Sequence, residues 1–411
     1  MGDRAAPGPG GRAGEAGGAR ALPHLGYLEA SILPTWPDTR SFSPRAFHSD
    51  PSKAESVKLN GKLALGAICS ATVVLTAACG SGPGASGGSG DDLSGARLVF
   101  VNFGGDGLAA AKKAWLDPFS KKTGVRFATD SPSDPAKVKA MVEAGNPTWD
   151  MIDLDVGSGR LGCGTLYEKR SPEVDVSAVD PALLSDDCGV PIMLQTMALV
   201  YNADRFGANP PTKITDFLDT ARYPGKRITL NYAAGGIEGM LLSGGVEPKK
   251  LYPLDLARAA RAVQGLGGDF SPVPTIAGQS QALESGDFAM CWCYLGRAAL
   301  SEERGAKLGV VWQNALSGWD MLYAIKGSKS PKAQQALLDH VATPAAQAAF
   351  TEQLPYGPTT PSAEPNLPAG RAKWLSKNNM DKIGEMALID PKWWNANTAK
   401  AFAAWTEMTA G

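Results

Sequence analysis

From residue 96 onward, apolar positions recur in two alternating rhythms, every second residue over short runs and every third or fourth over longer ones. The period-two runs predict strands at 97–103, 125–129, 150–156, 193–201, 227–231, 288–294, 308–312 and 321–325. The helical period predicts helices at 108–123, 135–145 and 255–266, the last capped by Asp255 and stopped by Gly267-Gly268. At the end of the chain, 390–411 places Trp393, Trp394, Ala401, Phe402 and Trp405 so that a helix buries aromatics on one side. This alternation of strand and helix predicts an α/β protein with a mainly parallel sheet flanked by helices on both faces. No repeat or heptad interrupts it.

Before residue 96 the pattern differs. Residues 1–56 carry no apolar period and are rich in Gly and Pro, so they are expected to form a disordered leader. Two lysines, Lys58 and Lys62, then precede an apolar run at 63–78. At 16 residues this run is shorter than the roughly 20 needed to span a bilayer, and 57–78 reads as a secretion signal. It ends in Leu75-Thr76-Ala77-Ala78-Cys79-Gly80, which resembles the lipobox of bacterial lipoproteins and implies a lipid on Cys79. Residues 79–95, Gly- and Ser-rich, read as a flexible tether. A signal placed this far into a chain suggests that Val57 is the true initiator. Attachment to a membrane is then expected through lipid alone.

Composition narrows the function. The 411 residues carry a formal net charge of −1, which gives no electrostatic reason to bind nucleic acid. Of three histidines, His24 and His48 lie in the leader, leaving His340, so chemistry needing a histidine pair is excluded. Export leaves Cys163, Cys188, Cys291 and Cys293, for which three connectivities are possible. The loop-rich interval from Cys163 to Cys188, with Gly162, Gly164 and Gly189 beside it, suits a bridge. Cys291-Trp292-Cys293 is expected to direct its two sulfurs apart. One histidine and Cys-x-Cys offer too few ligands for zinc, and no metal or cofactor is expected.

Two motifs compete for function. Gly157, Gly159 and Gly162 match G-x-G-x-x-G after a predicted strand, the signature of a nucleotide site and so of a secreted nucleotide-dependent enzyme. Cys163-Gly164, however, would end the helix that must hold the pyrophosphate, so packing glycines are the better reading. Asp153 and Asp155 share a strand face and could act as an acid/base pair or form salt links. The second signal is spread along the chain: Phe103 before Gly104-Gly105-Asp106, Asp155, Trp292 and Tyr294, and Trp319-Asp320 all fall at strand ends, where open α/β sheets gather ligands. Rings and carboxylates together suit an amine, each cation–π contact contributing about 0.5–2 kcal/mol.

Val101-Asn102-Phe103-Gly104-Gly105, Trp149-Asp150-Met151-Ile152, Tyr201-Asn202, Tyr223-Pro224-Gly225-Lys226, Leu251-Tyr252-Pro253-Leu254-Asp255, Gly296-Arg297, Tyr356-Gly357-Pro358-Thr359 and Trp393-Trp394 occur in order. In this the chain resembles the extracellular solute-binding proteins of ABC importers, in their spermidine/putrescine-type branch. The resemblance implies a non-enzymatic, extracytoplasmic, monomeric receptor that closes two α/β lobes on a solute and presents it to permease subunits. The lobes would be 96–198 plus 294–340 and 200–292 plus 343–411, joined by two hinge crossings. It also supports the bridge from Cys163 to Cys188. By motif position it implies an aromatic contact at Phe103, a polar group at Asp155, stacking at Trp292 and a pocket carboxylate at Asp320. Where polyamine receptors present carboxylates after the strand ending at Asn231, this chain has Tyr232, Ala233, Ala234, Gly235 and Gly236, with Glu238 facing inward or capping a helix. Arg297 would repel a diamine and instead clamp a carboxylate or phosphate. A polyamine-like amine and a zwitterion or anion held by Arg297 are therefore both candidate cargoes.

Overall fold

The computed structural model describes residues 93–410. The leader, the signal segment, Cys79 and most of the tether lie outside the described residues. Eight strands are present: β1 (Arg97–Val101), β2 (Arg126–Asp130), β3 (Met151–Asp155), β4 (Val190–Asn202), β5 (Arg227–Thr229), β6 (Met290–Tyr294), β7 (Leu308–Ala324) and β8 (Ala387–Leu388). They form one sheet in the order β2-β1-β3-β7-β4-β6-β5, with β8 paired to β7 off that path.

The sheet is mixed, which corrects the expectation of a mainly parallel one. Outer pairs such as β1 with β2 and β5 with β6 run parallel, but β7 runs antiparallel to both β3 and β4, and β4 antiparallel to β6. The cause is the length of the two central strands. The separate strands expected at 308–312 and 321–325 are one 17-residue strand, β7, laddered to β4 from Leu308 to Leu322. The apolar period breaks at Gln313 and Asn314 because the ladder bulges there. Leu199 pairs Val311 and Met197 pairs Leu316, and Asn314 absorbs the extra residues at φ 56°.

Beyond the bulge, Leu308 to Val311 lie with the β6 half of the sheet, and from Leu316 onward β7 leads toward β3. The first part of 294–340 sits on the β6 side, and the helix Pro344–Gln353 packs on the β1 side, where Trp115 stacks on Phe350 at 4.3 Å.

Local signals held where capping chemistry is strong. The helix Leu256–Leu266 begins at Asp255, whose Oδ1 accepts the Arg258 N–H at 2.9 Å, and ends at Gly267 with φ 51°. Asp390 likewise caps Pro391–Thr409. That helix buries Trp394, Ala401 and Trp405 and leaves Trp393 and Phe402 half-covered. A fully buried large apolar side chain stabilises by about 1.5–3 kcal/mol, so this one face anchors the chain end firmly.

Cys163 pairs with Cys188 across 5.6 Å between Cα atoms, closing the irregular loop that follows β3. Cys291 and Cys293 lie side by side, contrary to the expectation that their sulfurs point apart. Residues two apart on a strand share a face, so both sulfurs point into the same buried cluster while Trp292 points to the other side.

Candidate functional site

A cleft of about 820 Å³ opens where the ends of β1, β3, β5 and β6 meet the middle of β4 and β7, within the range of small-molecule sites. Seven of the ten residues singled out from sequence line it: Phe103, Asp106, Asp155, Tyr232, Tyr294, Arg297 and Asp320.

At the end of β1 the chain turns on Gly104 (φ 83°) and Gly105 (φ 58°), conformations that favour glycine, and Asn102 Oδ1 accepts the Gly104 N–H at 2.8 Å. The turn leaves the Phe103 ring 37% exposed at the cleft mouth and starts the helix Gly105–Ala111 that carries Asp106. Arg297 reaches the same wall from the first turn of Leu295–Glu303, directly after β6. Its Nη1 stands 3.4 Å from Asp106 Oδ2, and Gly107 has no side chain to obstruct Nη2. Asp106 Oδ1 is also 3.0 Å from Arg304, which pairs in turn with Glu284 at 2.9 Å. Arg297 is 5% exposed and its Nε has no hydrogen-bond partner among the described residues. Two arginines thus share one aspartate on this wall, and the more buried of them retains an unused donor.

The floor is acidic. Strand pairing sets Asp155 opposite Asp320, so both project from one face of the sheet, together with Asp153 two residues back. Asp155 Oδ1 accepts the N–H groups of Gly157 and Ser158 at 3.0 and 3.1 Å, and its Oδ2 accepts the hydroxyls of Ser158 and Tyr232 at 2.6 and 2.9 Å. The Tyr232 bond spans the cleft from the segment after β5. Asp320 is 1% exposed, and Gln195 donates to its Oδ2. Burial first, then the charges of Asp153 and Asp155, push the Asp320 carboxyl well above its ordinary range, with Arg297 opposing. Burial, with Asp155 adding to it, pushes Asp153 up to about 8.

Three of the ten residues do not line the cleft. Trp292 is fully buried mid-strand; its indole N–H donates to the Gly235 carbonyl at 2.8 Å and its ring packs on Gly239. Strand alternation turns it under the helix Ala233–Ser243 and away from the cleft. Glu238 does face inward, but into the core, accepting from Gly235 N–H, Tyr252 hydroxyl and Trp394 indole at 2.8, 2.6 and 2.8 Å. Trp319 lines a narrow side crevice whose walls include Asp155, Gln195, Tyr232 and Tyr294.

The residues of G-x-G-x-x-G cradle protein side chains. A Cβ on Gly159 would collide with the Tyr323 ring, one on Gly162 with Tyr167, and one on Gly157 would crowd Trp394. The helix that follows, Val156–Gly159, is a single turn capped by Asp155. These glycines pack, as the helix-ending Cys163-Gly164 suggested.

Sequence reasoning missed Gln195, Arg304 and Glu284. Gln195 was legible as a polar residue inside the apolar run of β4. Arg304 and Glu284 sit at helix ends on the protein surface, and no local pattern distinguishes them from solvated charges.

The family of bacterial extracellular solute-binding proteins matches residues 114–380. A gamma-aminobutyric acid-binding protein of Pseudomonas aeruginosa is 28% identical over 320 residues, covering 75% of this chain and 90% of that protein. A solved GABA receptor superposes with TM-score 0.69 at 29% identity, covering 76% of this chain and 97% of its own. The spermidine/putrescine receptor PotD of Streptococcus pneumoniae superposes with TM-score 0.60 at 15% identity, covering 77% and 99%, a likeness of fold alone.

Proposed function

Since the chain belongs to the bacterial extracellular solute-binding proteins, receptors of ABC importers rather than enzymes, we propose that its cargo is a small zwitterion of the amino-acid type, such as gamma-aminobutyric acid. The observation that carries this reading is the division of charge in the cleft. Arg297 lines one wall, while Asp155 and Asp320 line the floor. A carboxylate at one end and an ammonium at the other would neutralise both. The guanidinium fork suits a carboxylate, and each such charge-assisted bond is about twice as strong as a neutral one. Phe103 and Tyr294 supply the apolar wall for the carbon chain between them. A diamine would leave Arg297 facing a like charge, which argues against polyamine cargo.

Cargo gripped from both sides favours a closed arrangement over an open one. In this reading the two halves of the sheet act as lobes hinged on β4 and β7, with Tyr232 and Asp155 as one clasp. The receptor works outside the cytoplasm, where the lipid on Cys79 holds it near the permease and the pairing of Cys163 with Cys188 is stable.

Calorimetric titration with gamma-aminobutyric acid, putrescine, spermidine and NAD tests the proposal. Micromolar or tighter binding of the amino acid, about −8 kcal/mol, with no binding of NAD is expected. Tight binding of putrescine together with none of the amino acid would refute it.

A further inference from the structure

Asp153 takes no part in the cleft as described. It is 1% exposed on the face that carries Asp155 and Asp320, and its Oδ1 has no hydrogen-bond donor among the described residues. The same is true of Asp320 Oδ1. The two carboxyls lie on one face of neighbouring strands, diagonal across the pairing of Asp155 with Asp320, and the charge of Asp153 acts on Asp320; two acceptors can satisfy one another only through a proton. The groups facing the pair are Asp155 from β3, Gln195 from β4, Tyr294 from β6, Arg297 from the helix after β6, and Tyr356. Arg297 is the only cation among them and is already engaged by Asp106.

Building on the zwitterion reading, we infer that Asp153 and Asp320 hold one proton between them in the empty cleft and release it to solvent when the cargo's ammonium arrives. Asp153 is then a positioning residue that sets the charge Asp320 presents, and capture of cargo is coupled to loss of a proton. The balance is simple: a carboxylic acid and a carboxylate, together −1, become two carboxylates beside an ammonium, again −1, and one proton leaves. A solute with no cationic end gains nothing from the exchange, so the pair also selects for an ammonium.

The direction in pH follows. Burial and the neighbouring carboxylates hold the pair's proton well above the ordinary carboxylate range, so affinity should weaken by up to tenfold for each unit that pH falls below the pair's own pKa.

Two measurements test this. Infrared spectra of the cargo-free protein near neutral pH should show a protonated-carboxyl band that disappears in Asp153→Asn and in Asp320→Asn. If the wild-type protein has no such band, the inference is overturned whatever the cargo. Calorimetry with gamma-aminobutyric acid in buffers of different ionisation enthalpy, near pH 6.5, should give close to one proton released per solute. Asp153→Asn should reduce this toward zero and flatten the pH dependence of Kd. Tight binding of the amino acid with no proton release overturns the inference and leaves the cargo reading intact. A band without binding supports the shared proton and overturns the cargo reading instead.

Discussion

Replacing Arg297 by methionine separates the two cargo classes by the sign of the effect. The guanidinium is 5% exposed, its Nη1 faces Asp106 and its Nε is unused. Methionine conserves most of the buried stem volume, and Asp106 keeps Arg304 as a partner at 3.0 Å. The fold should therefore survive, as thermal melting would verify. For a solute carboxylate, losing a buried charged partner costs about 2–5 kcal/mol. At 1.4 kcal/mol per decade that is roughly 30- to several-thousand-fold in Kd, taking a micromolar receptor to at least tens of micromolar. For a diamine, the same change removes a buried like charge, and affinity should rise. Calorimetry of Arg297→Met with gamma-aminobutyric acid and with putrescine reads both. If the amino acid binds within threefold of wild type, Arg297 does not hold its carboxylate, and the division of charge across the cleft loses its meaning.

Three further outcomes are expected. Tyr232→Phe removes a hydrogen bond to a charged carboxylate, about 1.5–3 kcal/mol; since that bond spans the cleft, Kd should weaken roughly tenfold or more, and an unchanged Kd would remove it from closure. Gly159→Ala forces a methyl into the Tyr323 ring and should destabilise by about 1–3 kcal/mol in denaturant unfolding; a neutral result would reopen the nucleotide reading of that loop. Cys163→Ser opens a loop whose ends are 25 residues apart and should cost about 3 kcal/mol, read as a lower unfolding midpoint, with unchanged stability showing that the bridge does not form in the exported protein.

The sequence determined those features whose cause is local. Asp255 and Gly267 delimit a helix because a side-chain acceptor and a positive φ act within one turn. Gly104 and Gly105 expose Phe103 for the same reason, and the alternation of strand and helix sets the α/β class. Phe103, Asp106, Asp155 and Tyr294 were legible because strand ends in such folds converge on ligands, and Tyr232, Arg297 and Asp320 through the resemblance. Tertiary structure decided what depends on pairing across long separations. Only the ladder between β4 and β7 shows that 308–324 is one strand and that the sheet is mixed, since a bulge at Asn314 erases the apolar period. Only packing reveals that Trp292 and Glu238, plausible by position, are consumed by Gly235, Tyr252 and Trp394. The meeting of Asp153 with Asp320, more than a hundred residues apart in the chain, is likewise invisible until β3 and β7 lie side by side. Spacing along a chain encodes which face a side chain takes, whereas its neighbours on that face are chosen by the strand laid next to it.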